Sequence, residues 1–82
     1  MNSKGKRQYK DDEDFRPTGM KIREVRLRRK ISQEKLAIEC NFDYSQINRM
    51  ELGKVNFTIH TLFKVCRALQ VEPGELLVLP NL

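Results

Sequence analysis

The stretch from residue 33 to 52 constrains the fold most, because it predicts two short helices joined by a turn of three residues. The helices are predicted over 33–40 and 44–52, and Asn41 opens the turn in the left-handed conformation that Asn tolerates. Such a short turn makes the helices cross steeply, so the crossing needs a small residue and the second helix needs apolar residues to seal it. The residues that meet these needs are Ala37, Ile47 and Met50. Together these features indicate a helix-turn-helix.

Capping residues and helical spacing predict further helices around this motif. Thr18 is predicted to cap a first helix that runs to about Arg29, and the second and third helices are predicted to have caps at Ser32 and Asp43. After Gly53 has ended the third helix, Thr58 caps a fourth. Pro73 opens a short fifth helix, since a residue without an N–H suits the first turn. No alternating strand pattern stands out, so the predicted fold is all-α, a compact bundle of five helices that contains the helix-turn-helix.

The ends of the chain differ in composition from the middle. Residues 1–17 have almost no apolar side chains and carry opposed blocks of charge, so we predict a flexible arm there. The domain is predicted to span 18–79, followed by a tail over 80–82. Across its 82 residues the chain has a net charge of +5, which permits nucleic-acid binding without requiring it. Its apolar runs are too short to span a membrane and the N-terminus lacks the apolar segment of a secretory signal, so we expect a cytoplasmic protein.

Residues that carry catalytic or metal chemistry are scarce in the sequence. Cys40 and Cys66 lack the spacing of a zinc site and are expected to be reduced thiols in the core. His60 is the only histidine, and its position in the first turn of a helix favours a surface residue. No Ser/His/Asp, Cys/His or paired-carboxylate arrangement can be assembled. The chain is therefore predicted not to be an enzyme and to hold no cofactor or metal.

Three segments give residues 19–77 a resemblance to the Cro/cI-repressor type of helix-turn-helix domain, also called the XRE family. These segments read SQEKLA, RMExGK and ALxVxPxELL. Lys30 and Asn41 stand where the family commonly has Gly, so the chain departs from the pattern at these positions. The resemblance implies a transcriptional regulator, such as a repressor, that binds a specific sequence of double-stranded DNA with its third helix in the major groove.

The polar residues of the third helix suit DNA better than bulk water. The leading residues of a helix that enters the major groove meet base edges. The predicted base-reading residues are Tyr44, Ser45, Gln46 and Arg49. The predicted contacts to the DNA backbone are Gln33, Lys35, Asn48, Lys54 and Asn56. The resemblance also implies a buried, structural ion pair between Arg26 and Glu51.

The apolar end of the chain suggests that the protein forms a homodimer. One such domain buries modest surface on DNA, so affinity normally requires two copies on a pseudo-palindrome. The candidate dimer contacts are Leu76, Leu77, Val78, Leu79 and Leu82, unless these residues cap the core of the monomer. Two other functions stay open for this fold. One is an antitoxin or other interaction module with a toxin or another protein as its partner, and the other is the controller protein of a restriction–modification system.

Overall fold

Five helices form the part of the protein that the computed structural model describes, residues 15–55 and 58–78. They are α1 (Arg16–Arg28), α2 (Gln33–Cys40), α3 (Tyr44–Glu51), α4 (Ile59–Leu69) and α5 (Pro73–Leu76). The described residues contain no strand, so the prediction of an all-α fold is confirmed. Within the same residues, every helix is too short or too polar to cross a membrane.

Side-chain caps begin two helices at the residues that the sequence predicts. The Ser32 hydroxyl accepts a hydrogen bond from the backbone N–H of Lys35 at 3.0 Å, and Thr58 accepts one from that of Thr61 at 3.1 Å. Each bond satisfies an N–H group that the first helical turn leaves unpaired. Asp43 occupies the same position before α3, but its side chain makes no capping hydrogen bond. The first residue of α3 is therefore as predicted, while the predicted capping contact of Asp43 is not formed.

Residues in the left-handed conformation follow four of the helices. Asn41 does so with φ of 60°, as its place in the turn predicts, and Lys30 and Gln70 do so with φ of 61° and 60°. Lys30 and Gln70 have no special tolerance for this conformation, so both positions carry some backbone strain. The helix α3 ends one residue earlier than predicted, with Leu52 as its cap and Gly53 turning the chain at φ of 72°.

The start of α1 corrects the sequence prediction. The helix begins at Arg16 and holds Pro17 in its first turn, so Thr18 is not its cap. Pro17 fits there because the first turn leaves its N–H groups without helical partners. Thr18 is buried instead, and its hydroxyl accepts a hydrogen bond from the backbone N–H of Val78 at 3.0 Å. The rest of the predicted arm, residues 1–14, lies outside the described residues.

A single cluster of apolar side chains joins the helices. It consists of Ile22, Val25, Leu36, Ala37, Cys40, Ile47, Met50, Leu62, Val65, Cys66, Leu69 and Leu76. Both cysteines are free thiols in this core, as predicted. Leu76 is fully buried where α5 packs against α1 and α4, so its prediction as a dimer contact is wrong. Its neighbours Leu77 and Val78 are exposed, and Leu79 and Leu82 lie outside the described residues.

Gly19 allows α1 to approach the end of α3 at backbone distance. A Cβ atom at this position would lie 2.7 Å from the carbonyl oxygen of Glu51 and nearer still to that of Met50. Because backbone atoms cannot rotate away as a side chain can, even a methyl group would push the helices apart. This close approach brings the Arg26 face of α1 against α3.

Candidate nucleic-acid interface

The helix α3 divides its side chains between the core and the surface. Ile47 and Met50 are buried and anchor the helix. The predicted base-reading residues lie on the other side, where Tyr44 is 52% exposed. Ser45 and Arg49 are also exposed, and Gln46 is half-buried. The helix therefore presents hydrogen-bonding groups outward from an apolar anchor.

A buried ion pair fixes α1 to α3. The Arg26 guanidinium donates to both carboxylate oxygens of Glu51, from Nε at 2.6 Å and from Nη2 at 3.1 Å. Its Nη1 donates to the carbonyl oxygen of Ile31 at 2.9 Å. Arg26 and Glu51 are only 6% and 4% exposed, so the pair is largely withdrawn from water. The structure thus contains the ion pair that the family resemblance implies.

The ion pair continues toward the surface through two amide side chains. Gln33, the first residue of α2, donates from Nε2 to Glu51 Oε1 at 2.9 Å. The same nitrogen donates to Asn48 Oδ1 at the longer distance of 3.4 Å. Gln33 and Asn48 are half-buried. Both residues are predicted from the sequence to contact the DNA backbone, but nothing in the sequence indicates that they bond to each other or to Glu51.

An open polar cleft of about 530 Å³ lies beside these amides. Arg23 and Tyr44 line it together with Gln33 and Asn48. Sequence reasoning missed Arg23, although a signal was available, because Arg23 precedes Arg26 by one helical turn and so shares its face of α1. Arg23 is exposed and pairs with no acidic side chain among the described residues. Its charge is therefore available to an anion at this cleft.

The other predicted backbone contacts differ in their surroundings. Lys35 is exposed, and its amine lies 3.6 Å from the carboxylate of Glu39 one turn further along α2. Lys54 is exposed just after the end of α3. Asn56 lies outside the described residues. Lys54 can thus offer its charge to a phosphate without first giving up a partner that the structure records.

The titratable residues away from this cleft offer little chemistry. Within residues 15–55 and 58–78, no three His, Cys, Asp or Glu side chains are arranged to hold a metal ion. His60 is exposed. Burial raises the pKa of the Cys40 thiol to about 11 and also raises the pKa of Cys66. Both thiols are therefore protonated at neutral pH, the less nucleophilic form.

A helix that follows a tight turn, with an apolar anchor and a polar outward face, defines a helix-turn-helix DNA-binding protein. The family model described as helix-turn-helix matches residues 22–76, and the chain belongs to this family. The resemblance to the Cro/cI-repressor type is thereby confirmed.

Several relatives narrow the class further. Control protein C.BamHI of Bacillus amyloliquefaciens is 40% identical over 60 residues, which cover 72% of this chain and 74% of that protein. The restriction-modification controller protein C.AhdI from Aeromonas hydrophila is 32% identical with a TM-score of 0.80, covering 84% of this chain and 100% of that chain. A hypothetical transcription factor from Neisseria, NHTF, is 30% identical with a TM-score of 0.74, covering 85% of this chain and 82% of that one. This protein is a DNA-binding transcriptional regulator.

Proposed function

We propose that the protein binds a pseudo-palindromic operator as a homodimer and controls the genes of a restriction–modification system. The DNA-binding part of this proposal rests on the outward face of α3. Its polar side chains lie opposite the buried Ile47 and Met50, and the face adjoins the polar cleft. The relatives support the role in a restriction–modification system, since C.AhdI is named as a restriction-modification controller protein and C.BamHI as a control protein. No observation favours the antitoxin alternative or a catalytic role.

The base-reading residues would act through the major groove. Gln46 has the amide geometry for a bidentate contact to adenine, and Arg49 has the fork that suits guanine O6 and N7. Ser45 can donate or accept, and Tyr44 can pack its ring against a thymine methyl group. Each well-made contact of this kind contributes about 1–3 kcal/mol of discrimination between bases. The target sequence is then set by a few side chains of one helix.

Phosphate contacts would hold α3 in register without reading sequence. Arg23 is an exposed basic residue at the cleft, and Lys54 is another just after the end of α3. Lys35 is a third candidate, although Glu39 already neutralises it in part. The sequence places Asn56 in the same role. Each phosphate neutralised releases counterions, so the affinity of the protein for every duplex should fall steeply with salt.

An apolar patch on α1 and the C-terminal segment offers a surface for the second copy. Met20, Leu27 and Val78 line one open groove of about 590 Å³, and Leu77 directly precedes Val78 in the chain. We define the apolar patch as these four residues. Their exposed fractions run from 37% for Val78 to 67% for Met20, which is high for apolar side chains. Contiguous exposed apolar surface of this kind commonly marks a protein contact.

Selection of bound duplexes from a random DNA pool tests the reading role. We expect the wild type to enrich a two-fold symmetric site, and Gln46→Ala to lose preference at one position of each half-site. Lys54→Ala should weaken all duplexes alike and flatten the salt dependence by about one phosphate contact. Arg67→Ala is the matched control, because it removes an exposed charge from α4 rather than from the end of α3. Equal enrichment by wild type and Gln46→Ala would contradict the assignment.

Sedimentation of the purified protein tests the dimer. Val78→Ser should shift the monomer–dimer equilibrium toward monomer, because it places a hydroxyl in the apolar patch. Phe63→Ser serves as the control, since Phe63 is 45% exposed on α4 and lies outside the patch. If Phe63→Ser dissociates the dimer while Val78→Ser does not, the interface lies on α4.

Binding to the DNA upstream of a neighbouring restriction–modification gene tests the regulated target. A gel shift with that DNA, competed by an unrelated duplex, should give a specific complex. We expect the protein to act in the cytoplasm, where such DNA is found. An absence of restriction and methylation genes beside its own gene would count against the controller assignment and leave the DNA-binding role intact.

A further inference from the structure

Four polar side chains form a continuous hydrogen-bonded chain from the core to the cleft. We call this chain the polar relay, and in order it runs Arg26, Glu51, Gln33, Asn48. It begins at a guanidinium that is nearly buried and ends at a half-buried amide beside the cleft. Amide side chains can face either way, so the direction of each hydrogen bond in the relay decides what the surface offers to DNA.

The chemistry of the buried end fixes those directions. A guanidinium can only donate hydrogen bonds, and an ionised carboxylate can only accept them. Because the Glu51 carboxylate accepts, Gln33 must turn its NH₂ group toward Glu51 rather than its oxygen, in agreement with the 2.9 Å bond from Nε2. The opposite orientation would set the amide oxygen of Gln33 against a carboxylate oxygen.

The same constraint passes from Gln33 to Asn48. The Gln33 nitrogen carries two hydrogens, and the structure gives it two acceptors, Glu51 Oε1 at 2.9 Å and Asn48 Oδ1 at 3.4 Å. Asn48 must therefore face Gln33 with its oxygen, since its NH₂ group would oppose another donor. The NH₂ group of Asn48 and the oxygen of Gln33 are left for the surroundings.

We propose that the buried Arg26–Glu51 pair sets the hydrogen-bonding polarity of the DNA-binding cleft, holding Asn48 as a donor and the Gln33 side chain as an acceptor. This inference rests on the proposed function for its use on DNA. Asn48 then donates to groups that only accept, such as phosphate oxygens, the N7 atom of a purine or the O6 atom of guanine. The Gln33 side chain has no hydrogen left for a phosphate, so its role is to position Asn48. Only the backbone N–H of Gln33 remains for the phosphate contact that the sequence suggested.

Side-chain amide NMR on the full chain without DNA tests the polarity itself. Both Nε2 hydrogens of Gln33 should exchange slowly with water, while the Nδ2 hydrogens of Asn48 exchange freely. After addition of a duplex taken from the random-pool selection, the Asn48 hydrogens should become protected and those of Gln33 should stay as they were. Freely exchanging Gln33 hydrogens that become protected only on DNA would overturn the proposal.

A double-mutant cycle on DNA affinity tests the positioning role. Asn48→Ala should weaken binding by about 10- to 100-fold, the usual range for a hydrogen bond to a charged group. Gln33→Met keeps the side-chain length but removes the amide, so it should cost about 2- to 10-fold by releasing the ordered Asn48. In an Asn48→Ala background, Gln33→Met should have almost no further effect. Additive losses would mean that Gln33 contacts DNA independently and would refute the relay.

Two further measurements show whether a loss of DNA affinity comes from unfolding and which DNA acceptor Asn48 contacts. Thermal melting of each variant shows whether a loss of affinity comes from unfolding, and the cycle is read at a temperature where all four proteins are folded. Salt titration and base selection on Asn48→Ala distinguish the two acceptors, because loss of a phosphate contact lowers the salt slope and loss of a purine contact relaxes one base position. If the wild type binds no duplex, the proposed function fails, while amide exchange in the free protein still decides the polarity.

Discussion

Removal of the Glu51 carboxylate should destabilise the domain more than any change on its surface. Glu51 accepts three hydrogen bonds, from Arg26 Nε at 2.6 Å, from Arg26 Nη2 at 3.1 Å and from Gln33 Nε2 at 2.9 Å. Glu51→Ala deletes all three and leaves a guanidinium that is 6% exposed with the carbonyl oxygen of Ile31 as its remaining acceptor. The perturbation therefore strands a positive charge that water can hardly reach.

The expected loss follows from that stranded charge. Breaking a buried ion pair from one side costs about 3–5 kcal/mol. A domain has on the order of 5–15 kcal/mol of stability in total, so the variant should lose a large part of it. At about 4–8 °C for each kcal/mol in a domain of this size, the melting temperature should fall by about 12–40 °C. Circular dichroism at 222 nm during heating measures this fall, and urea titration gives the free energy of unfolding.

Two companion variants make the measurement decisive. Glu39→Ala removes an exposed carboxylate that lies 3.6 Å from Lys35, and should change the free energy of unfolding by less than about 1 kcal/mol. Arg26→Met combined with Glu51→Leu replaces the pair with apolar side chains and should recover most of the stability, because neither charge is then stranded. The double variant should nevertheless bind DNA weakly, since the relay has lost the groups that orient Gln33. If Glu51→Ala has the same melting temperature as Glu39→Ala, breaking the buried pair costs no stability and the reasoning is refuted.

Further predictions concern packing, pH and DNA contacts. Gly19→Ala should destabilise the domain by about 1–3 kcal/mol, because its methyl group meets backbone carbonyl oxygens. Gly74→Ala places its methyl group where nothing lies within 4 Å, so the same urea titration should show a neutral or slightly stabilising change. The free energy of unfolding should fall as pH rises from about 9 toward 11, because the thiol of Cys40 ionises at a lower pH in the unfolded chain than in the folded protein. Cys40→Ala should make that fall smaller. Fluorescence anisotropy compares the affinity for the selected duplex with the affinity for an unrelated duplex. Gln46→Ala should lose affinity for the selected duplex alone, whereas Lys54→Ala should lose it for both. A loss of the same size on the two duplexes for Gln46→Ala would contradict base reading.

Much of the fold was predictable because its signals are local. Ser32 and Thr58 cap their helices through residues three positions away, and Asn41 turns the chain by its own backbone preference. Such signals act within one turn and are legible in the sequence. The same locality explains the errors at α1, since Thr18 looks like a cap until its hydroxyl is seen to bond Val78, 60 residues along the chain.

The site was predictable only in part. Periodicity places Ile47 and Met50 inward and the polar residues of α3 outward. The structure confirms this division, since Ile47 and Met50 are buried while the predicted base-reading residues are exposed or half-buried. The Arg26–Glu51 pair followed from the family resemblance, because two charges 25 residues apart give no local pattern. The place of Arg23 at the cleft depended on packing in the same way.

The sequence by itself determined where the helices lie, how the turn between α2 and α3 is made, and which side of α3 is polar, because each depends on residues within a turn or two of one another. Tertiary structure alone decided that Leu76 belongs to the core and that Gln33 bonds Glu51 across 18 residues. Those outcomes depend on how close the helices pack, as at Gly19, and on which donors and acceptors packing leaves unpaired. The polarity of the DNA-binding face is therefore a property of the assembled fold.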